Sequence, residues 1–376
     1  MSLRLEASPG QVLQEESVPM KVTINDVAAR AGVSIKTVSR VINNEPSVRP
    51  STRERVMQAV QALNYRPNLA ARNLAGTHSY SIAFIYDNPN AYYVIDMQNG
   101  ILEACRERGY ELLIHPGSGR RETIHEELRK LIEQSRVAGL VLTPPFSETR
   151  EVIDTLKSLD VEFVRIISSE GCGQGEENCI AIDDETAAFT ITQHLLQLGH
   201  RQIAYLGGGA EHLSTLSRLA GYKKALQKAG LPFTEEQVIE GEYSFDSGVA
   251  GATALLHSVT PPTAIFAGND EMAAGALFAA RMLNIEVPQQ LSIAGFEDSP
   301  FSRQTWPKLT TAHQPNEDIA RRAAELLLER IQCRGGQEEE QLNSVKSDSN
   351  YRSFTPSLIV RESSGPAVEK AYNPQT

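Results

Sequence analysis

The chain has 376 residues, 41% of them hydrophobic and 22% charged, so it is long enough for two or three packing units and has the composition of an ordinary soluble globular protein. Its longest apolar runs, such as Ser81–Tyr86 and Val137–Thr143, are strand-length and far short of the roughly 20 residues a bilayer span needs, which excludes a membrane-spanning protein. The net charge of −11 is uneven: residues 21–76 carry nine cations against three anions, a net of +6, leaving −17 on the rest, the layout of a nucleic-acid reader joined to an acidic body.

Cys105, Cys172, Cys179 and Cys333 form no C-x-x-C and no zinc-like pattern with histidine. All four read as small apolar fillers of a reduced, cytoplasmic protein. Residues 1–20 lack a basic start followed by an apolar core, so they read as a flexible extension rather than a secretory signal, with Met20 a candidate native start.

The first helix opens at Thr23-Ile-Asn-Asp26, a variant of the capping box, and buries Val27, Ala28 and Ala31. Gly32 supplies a tight turn, Val33 plugs the core, and Ser34 caps a second helix that starts near Ile35. In that helix Val38 and Val41/Ile42 face inward at three-and-four spacing, leaving Ile35, Lys36, Ser39 and Arg40 outward. Pro50 opens a third helix with Val56, Ala59, Val60 and Leu63 on one face. A compact three-helix unit with a basic, hydroxyl-rich second helix fits a major groove, where side chains near the helix start reach base edges and small polar groups hold phosphates.

The segment TINDVAARAGVSIKTVSRVINN, followed by NYRPNLAARNLAG, closely resembles the headpiece and hinge of the lactose-repressor/galactose-repressor family of bacterial transcription regulators, and the likeness continues to about Ser363. The resemblance implies base readers at Ile35, Lys36 and Arg40. It implies phosphate contacts from Thr23, Ser34, Thr37, Ser39, Asn43, Tyr65 and Asn68. It further implies a hinge helix over residues 67–77 that orders on DNA, with Ala71 allowing close helix contact and Leu74 wedging between base pairs.

From Ser81 onward the runs SIAFIY, YELLIH, AGLVLT, FVRII, QIAYLGG, TAIFAG and LSIAGF alternate with amphipathic stretches, which predicts parallel sheets covered by helices on both faces. The resemblance makes the expected fold class α/β, with a small all-α helix-turn-helix headpiece (21–66) and a two-lobed periplasmic-binding-protein-like core (78–364), followed by a flexible tail (365–376). Lobe crossings are expected near 181–184, near 310–313, and in the polar stretch before Ser353 (342–353).

No catalytic constellation or cofactor motif emerges. Gly207-Gly208-Gly209 lacks both the phosphate-loop lysine and the dinucleotide spacing and reads as a tight turn. Asp183-Asp184 and His194 lack a nucleophile and read as surface and capping residues. The resemblance implies instead a small-molecule site formed by Tyr93, Arg218, Tyr243, Asn269 and Glu297. An arginine fork suits vicinal hydroxyls or a carboxylate, and an aromatic face suits a pyranose or a purine. Where many relatives carry two aspartates, this chain has Glu297-Asp298, so the effector's identity does not transfer. Trp306, the only tryptophan, is expected to line the cleft or pack beside it.

These readings together predict a regulator, expected to be a repressor, that binds palindromic operator DNA as a homodimer under control of a sugar-like effector, with a purine co-repressor as the alternative. The tail has no leucine heptads, which favours a dimer over a tail-linked tetramer. A sugar-binding transport receptor would need an export signal and no basic headpiece, and an enzyme would need the missing nucleophile or cofactor motif.

Overall fold

Residues 22–42, 48–65, 79–88, 90–117, 124–169, 172, 178–209, 212–334 and 352–367 are described by a computed structural model of the chain. Two compact units divide it, residues 1–77 and 78–376. In the first, helices α1 (Ile24–Ala31), α2 (Ile35–Ile42) and α3 (Pro50–Ala62) close around Val27, Ala28, Ala31, Val38, Val41, Val56 and Ala59. The Asp26 carboxylate accepts from both the backbone N–H and the hydroxyl of Thr23, each at 2.8 Å, in the capping box that the sequence implies. Gly32 takes the left-handed conformation at φ 64, and the Val33 N–H returns to the Ala28 carbonyl. Ser34 Oγ then accepts from Thr37 N at 3.2 Å, starting α2 as its sequence implies. Arg53 reaches back from α3 to the Val41 carbonyl at the end of α2.

The second unit has two lobes. In the first lobe β1 (Ser81–Tyr86), β2 (Glu111–Pro116), β3 (Gly139–Leu142), β4 (Glu162–Ser168), β5 (Cys179–Ile182) and a late strand form a parallel sheet in the order late strand–β5–β4–β3–β1–β2. Helix α4 (Ala91–Arg108) and the late α12 (Asn316–Arg334) cover one face, α5 (Ile124–Ser135) and α6 (Arg150–Ser158) the other. Central strands buried on both sides explain why β1 and β3 read as continuous apolar runs rather than alternating ones.

The second lobe is built from α7 (Asp184–Gln197), β6 (Ile203–Gly207), α8 (Leu213–Lys228), β7 (Val238–Glu240), α9 (Phe245–Leu256), β8 (Ala264–Ala267), α10 (Asp270–Met282), β9 (Ser292–Ala294) and the short α11 (Pro300–Gln304). Its parallel sheet runs β7-β6-β8-β9, with α9 and α10 on one face and α7 and α8 on the other.

Among the described residues, three passages join the lobes. The first lies at Asp183, between β5 and α7. The second lies at Gln314–Pro315, just past the expected 310–313, because β10 (Thr311–His313) still belongs to the second lobe through bridges from Ala294 to the adjoining Thr310 and from Glu297 to its own His313. The third corrects the expectation of a crossing before Ser353: β11 (Ser353–Phe354) still pairs with β5 of the first lobe, so the chain crosses at Thr355–Pro356 before β12 (Ser357–Ile359) pairs with β10.

Two further expectations are corrected. Cys172 and Cys179 are joined in a disulfide, since the β4–β5 connection returns them to a Cα–Cα distance of 6.0 Å; they are not both unpaired fillers. Cys105 fits the filler reading, its thiol buried and pushed up to about 12 by that burial, and Cys333 is a free thiol. Trp306 neither lines the cleft nor packs beside it, being 81% exposed. Among the described residues, no helix is long and apolar enough to cross a membrane.

Candidate functional site

The two units each bring candidate residues together. On the first, Ser34 caps α2 while Ile35, Lys36 and Arg40 lie on its exposed side, Ile35 being 50% exposed although apolar. Thr37 is held by Ser34, their hydroxyls 2.9 Å apart, Ser39 is half-buried, Thr23 sits at the start of α1 and Tyr65 just past α3. Asn43, Asn68, Ala71 and Leu74, with the whole hinge segment 67–77, lie outside the described residues.

In the second unit Tyr93, Arg218, Tyr243, Asn269 and Glu297 all line one cavity between the lobes. Tyr93 comes from the first turn of α4, Arg218 from the middle of α8, Tyr243 from the loop before α9, Asn269 from the N-terminus of α10, and Glu297 from the turn after β9. Strand ends and helix starts converge here, as expected of a cleft at the carboxyl edges of parallel sheets.

Each side chain is fixed by its neighbours. Arg218 donates from Nε to Asp184 Oδ1 at 2.8 Å and from Nη1 to the Gly268 carbonyl at 2.6 Å, with its guanidinium 3.7 Å from the centre of the Phe296 ring. Burial works against its charge, but the nearby Asp184, Tyr243 and Glu297 outweigh that and hold its pKa above the ordinary arginine value. The fork is therefore largely committed to the protein, and what remains for a ligand is the Nη2 edge.

Asn269 caps α10 through Oδ1, accepting from Met272 N at 2.9 Å, and donates from Nδ2 to the Tyr243 carbonyl at 3.0 Å. Tyr243, at φ 57, pairs its hydroxyl with Thr215 Oγ1 at 2.5 Å and packs edge-on against His212. Gly208 makes room for it, because a Cβ there would lie 2.0 Å from the ring. Within the glycine run that begins at the end of β6, Gly208 thus has a packing purpose.

The Glu297-Asp298 pair divides into two tasks. Glu297, at φ 100, directs its carboxylate into the cavity; burial, opposed by Arg218 and reinforced by Asp184, Glu271 and Asp96, pushes it up to about 7. Asp298 turns away to Arg361 at 2.6 Å and Ser302 at 2.7 Å, and those partners overcome burial to hold it below the usual carboxylate range.

Sequence reasoning missed several lining residues. Asp184 is not at the surface: it is 2% exposed, paired with Arg218 and bonded to Ser168 Oγ at 2.6 Å. Its neighbour Asp183 does cap α7, accepting from Thr186 N, and His194 sits elsewhere against Ser364. Asn90, Ser168, His212, Ser214 and Gln314 also line the cavity. Only Asn90 left a local signal, as an asparagine directly before a helix.

Known proteins share the helix-turn-helix headpiece and the two-lobed core. Residues 23–68 match the model of the bacterial regulatory proteins of the lacI family, and residues 192–364 match a periplasmic binding protein-like domain. The chain is 35% identical over 309 residues to catabolite control protein A of Priestia megaterium, covering 82% of this chain and 92% of that one. It is 34% identical over 314 residues to the HTH-type transcriptional repressor PurR of Proteus mirabilis, covering 82% of this chain and 90% of that one. Among solved structures, the lac repressor dimer bound to operator and the anti-inducer ONPF aligns with a TM-score of 0.71 at 29% identity, over 92% of this chain and 99% of that one. The transcriptional regulator CelR in its cellobiose complex aligns with a TM-score of 0.66, also at 29% identity, over 91% of this chain and 99% of that one. The relatives are transcriptional regulators and not enzymes, and this chain belongs to the lacI family of bacterial regulatory proteins as a DNA-binding transcriptional repressor.

Proposed function

We propose that the protein binds a palindromic operator in the bacterial cytoplasm as a homodimer, and that a small hydroxyl-rich effector, a sugar or sugar derivative, controls that binding from the interlobe cavity. The observation that carries this reading is the convergence of Arg218, Tyr243, Asn269, Glu297 and Tyr93 on one cavity: hydrogen-bond donors, carboxylate acceptors and aromatic faces together suit a sugar ring. The CelR relative is a cellobiose complex, which points the same way. The likeness to PurR supports a purine co-repressor as the second reading, since Tyr243 offers a face to either ring.

At the DNA, Lys36 and Arg40 donate to guanine edges and Ile35 packs on a thymine methyl. Thr23, Ser34, Thr37, Ser39, Asn43, Tyr65 and Asn68 hold the backbone, while Ala71 and Leu74 serve the hinge pair and its minor-groove wedge. Dimerisation is supported by apolar side chains left exposed on α4 (Ile95), β2 (Ile114) and α10 (Phe278, Met282). The effector acts by favouring one lobe geometry over another, and it changes operator affinity by no more than its own preference between the two.

The test is a thermal-shift panel of monosaccharides, disaccharides, sugar acids, sugar phosphates, purines and nucleosides, followed by operator titration with and without each hit. A ligand at 100 times its Kd stabilises the folded state by about 2.7 kcal/mol, enough to stand out. A sugar that shifts the midpoint and changes operator affinity confirms the reading; a purine that does so alone replaces it with the second.

A further inference from the structure

The cleft is already crossed by hydrogen bonds between the protein's own side chains. Asn90, 4% exposed, is the N-cap of α4 in the first lobe, and its Oδ1 accepts from the N–H groups of Tyr92 at 3.0 Å and Tyr93 at 3.3 Å. With the oxygen held by the helix start, the amide nitrogen is aimed outward, and Nδ2 donates to Glu297 Oε2 of the second lobe at 2.9 Å. Glu297 is itself held in register by its N–H bond to the Ala312 carbonyl.

Two more contacts cross beside this one. Glu148 of the first lobe accepts from Ser168 N at 3.0 Å and, across the cleft, from Leu213 N at 3.4 Å at the start of α8. Ser168 Oγ, at the end of β4, donates to Asp184 at the start of α7. The cavity lies between these contacts, so a ligand that enters it meets the groups that make them.

We propose that Asn90 and Glu297 form an interlobe latch, and that the effector gains the Glu297 carboxylate by competing with the Asn90 amide for it. This rests on the reading of the cleft as an effector site, but the latch itself is tested without any effector. Asn90 is here a positioning residue: it acts on the lobes through Glu297. A hydroxyl donor replaces the amide donor one for one, so a polyol can take over the latch while an acceptor-only group cannot.

Asn90→Asp separates latch from cap. Aspartate is as good an N-cap as asparagine, so α4 keeps its start, but the donor facing Glu297 becomes a second carboxylate. Adding Glu297→Gln to that variant reverses donor and acceptor and restores the bond. Asn90→Ser is a second single variant, retaining a capping hydroxyl too short to span the cleft.

The readout is amide hydrogen exchange of the full chain without ligand, followed at Leu213, whose N–H is held from the opposite lobe. Exchange at Tyr92 and Tyr93 reports the cap and the local fold. Losing a charge-assisted hydrogen bond predicts faster Leu213 exchange by about tenfold or more in both single variants, with the Tyr92 and Tyr93 amides still protected. In the donor-swapped double variant Leu213 returns close to the wild-type rate. Unchanged Leu213 exchange in the single variants, or a double variant as fast as Asn90→Asp, overturns the latch. Neither result touches the effector reading, which the ligand panel decides separately.

Discussion

Arg218 and Asp184 form an ion pair at 2.8 Å in which both side chains are more than nine-tenths buried. Removing one partner of such a pair strands the other charge in a low-dielectric site, which costs about 3–5 kcal/mol, whereas removing both costs far less. Arg218→Ala is therefore expected to lower the melting midpoint of the core markedly. Asp184→Asn combined with Arg218→Gln is expected to recover much of that loss. Thermal denaturation of the three proteins checks this; equal midpoints for the single and double variants would show that the pair is not coupled. The same comparison shows whether ligand response lost in Arg218→Ala reflects a missing contact or a damaged core.

Lys36 is exposed on α2, so Lys36→Ala should leave the headpiece fold unchanged within about 0.5 kcal/mol. Operator affinity should fall by about 1–3 kcal/mol, and discrimination at one base pair should relax with it. Fluorescence anisotropy on operator variants reads both; a uniform loss over all sequences would make Lys36 a phosphate contact instead.

Glu148 and Glu297 are both pushed up to about 7, burial being the larger cause in each. A carboxyl whose pKa is raised in the folded state stabilises that state fully below its ordinary value of 4.5, and the contribution is lost as pH rises through 7. His194 and His200 work oppositely, because burial lowers their pKa and their neutral forms favour the folded state as pH rises. The wild-type pH profile mixes the two. Subtracting it from the profile of the Glu148→Gln, Glu297→Gln double variant isolates the carboxylates: wild type should lose midpoint relative to the variant between pH 4.5 and 7, by about 2–4 °C for each kcal/mol. A constant difference across that window would refute the assignment.

Gly208→Ala should force Tyr243 out of place, since the added Cβ would meet its ring. Overpacking of this kind costs about 1–3 kcal/mol. The expected result is a lower midpoint together with a weakened thermal shift from whichever panel ligand stabilises wild type; an unweakened shift would mean that Tyr243 does not face the ligand.

Met282, 67% exposed, stands one turn from the exposed Phe278 on α10. If that apolar pair belongs to the dimer contact, Met282→Glu will shift sedimentation velocity from dimer toward monomer and weaken operator binding, with the core midpoint falling as the partner is lost. A persistent dimer would place the contact elsewhere.

Local patterning made the headpiece helices and the parallel lobes legible, because Gly32, Ser34 and Pro50 punctuate the first and doubly buried strands give the second its apolar runs. Resemblance, rather than pattern, pointed to the five cleft residues. What stayed hidden was pairing at a distance. Nothing near Asp184 announces that Arg218, 34 residues on, will be folded against it, and Asn90 meets a partner 207 positions away. The cysteine bridge was hidden for the same reason, and Trp306 misled because bulk alone does not decide burial.

The three passages between the lobes are tied to one another: Asp183 N donates to the Phe354 carbonyl, and β10 pairs with β12. A single tether would leave the lobes free to swivel, slide and twist. Three strapped side by side form a spine that restricts those freedoms and favours rotation about it, as with the covers of a book. The quantity a ligand in the cleft would then set is how far the covers stand apart.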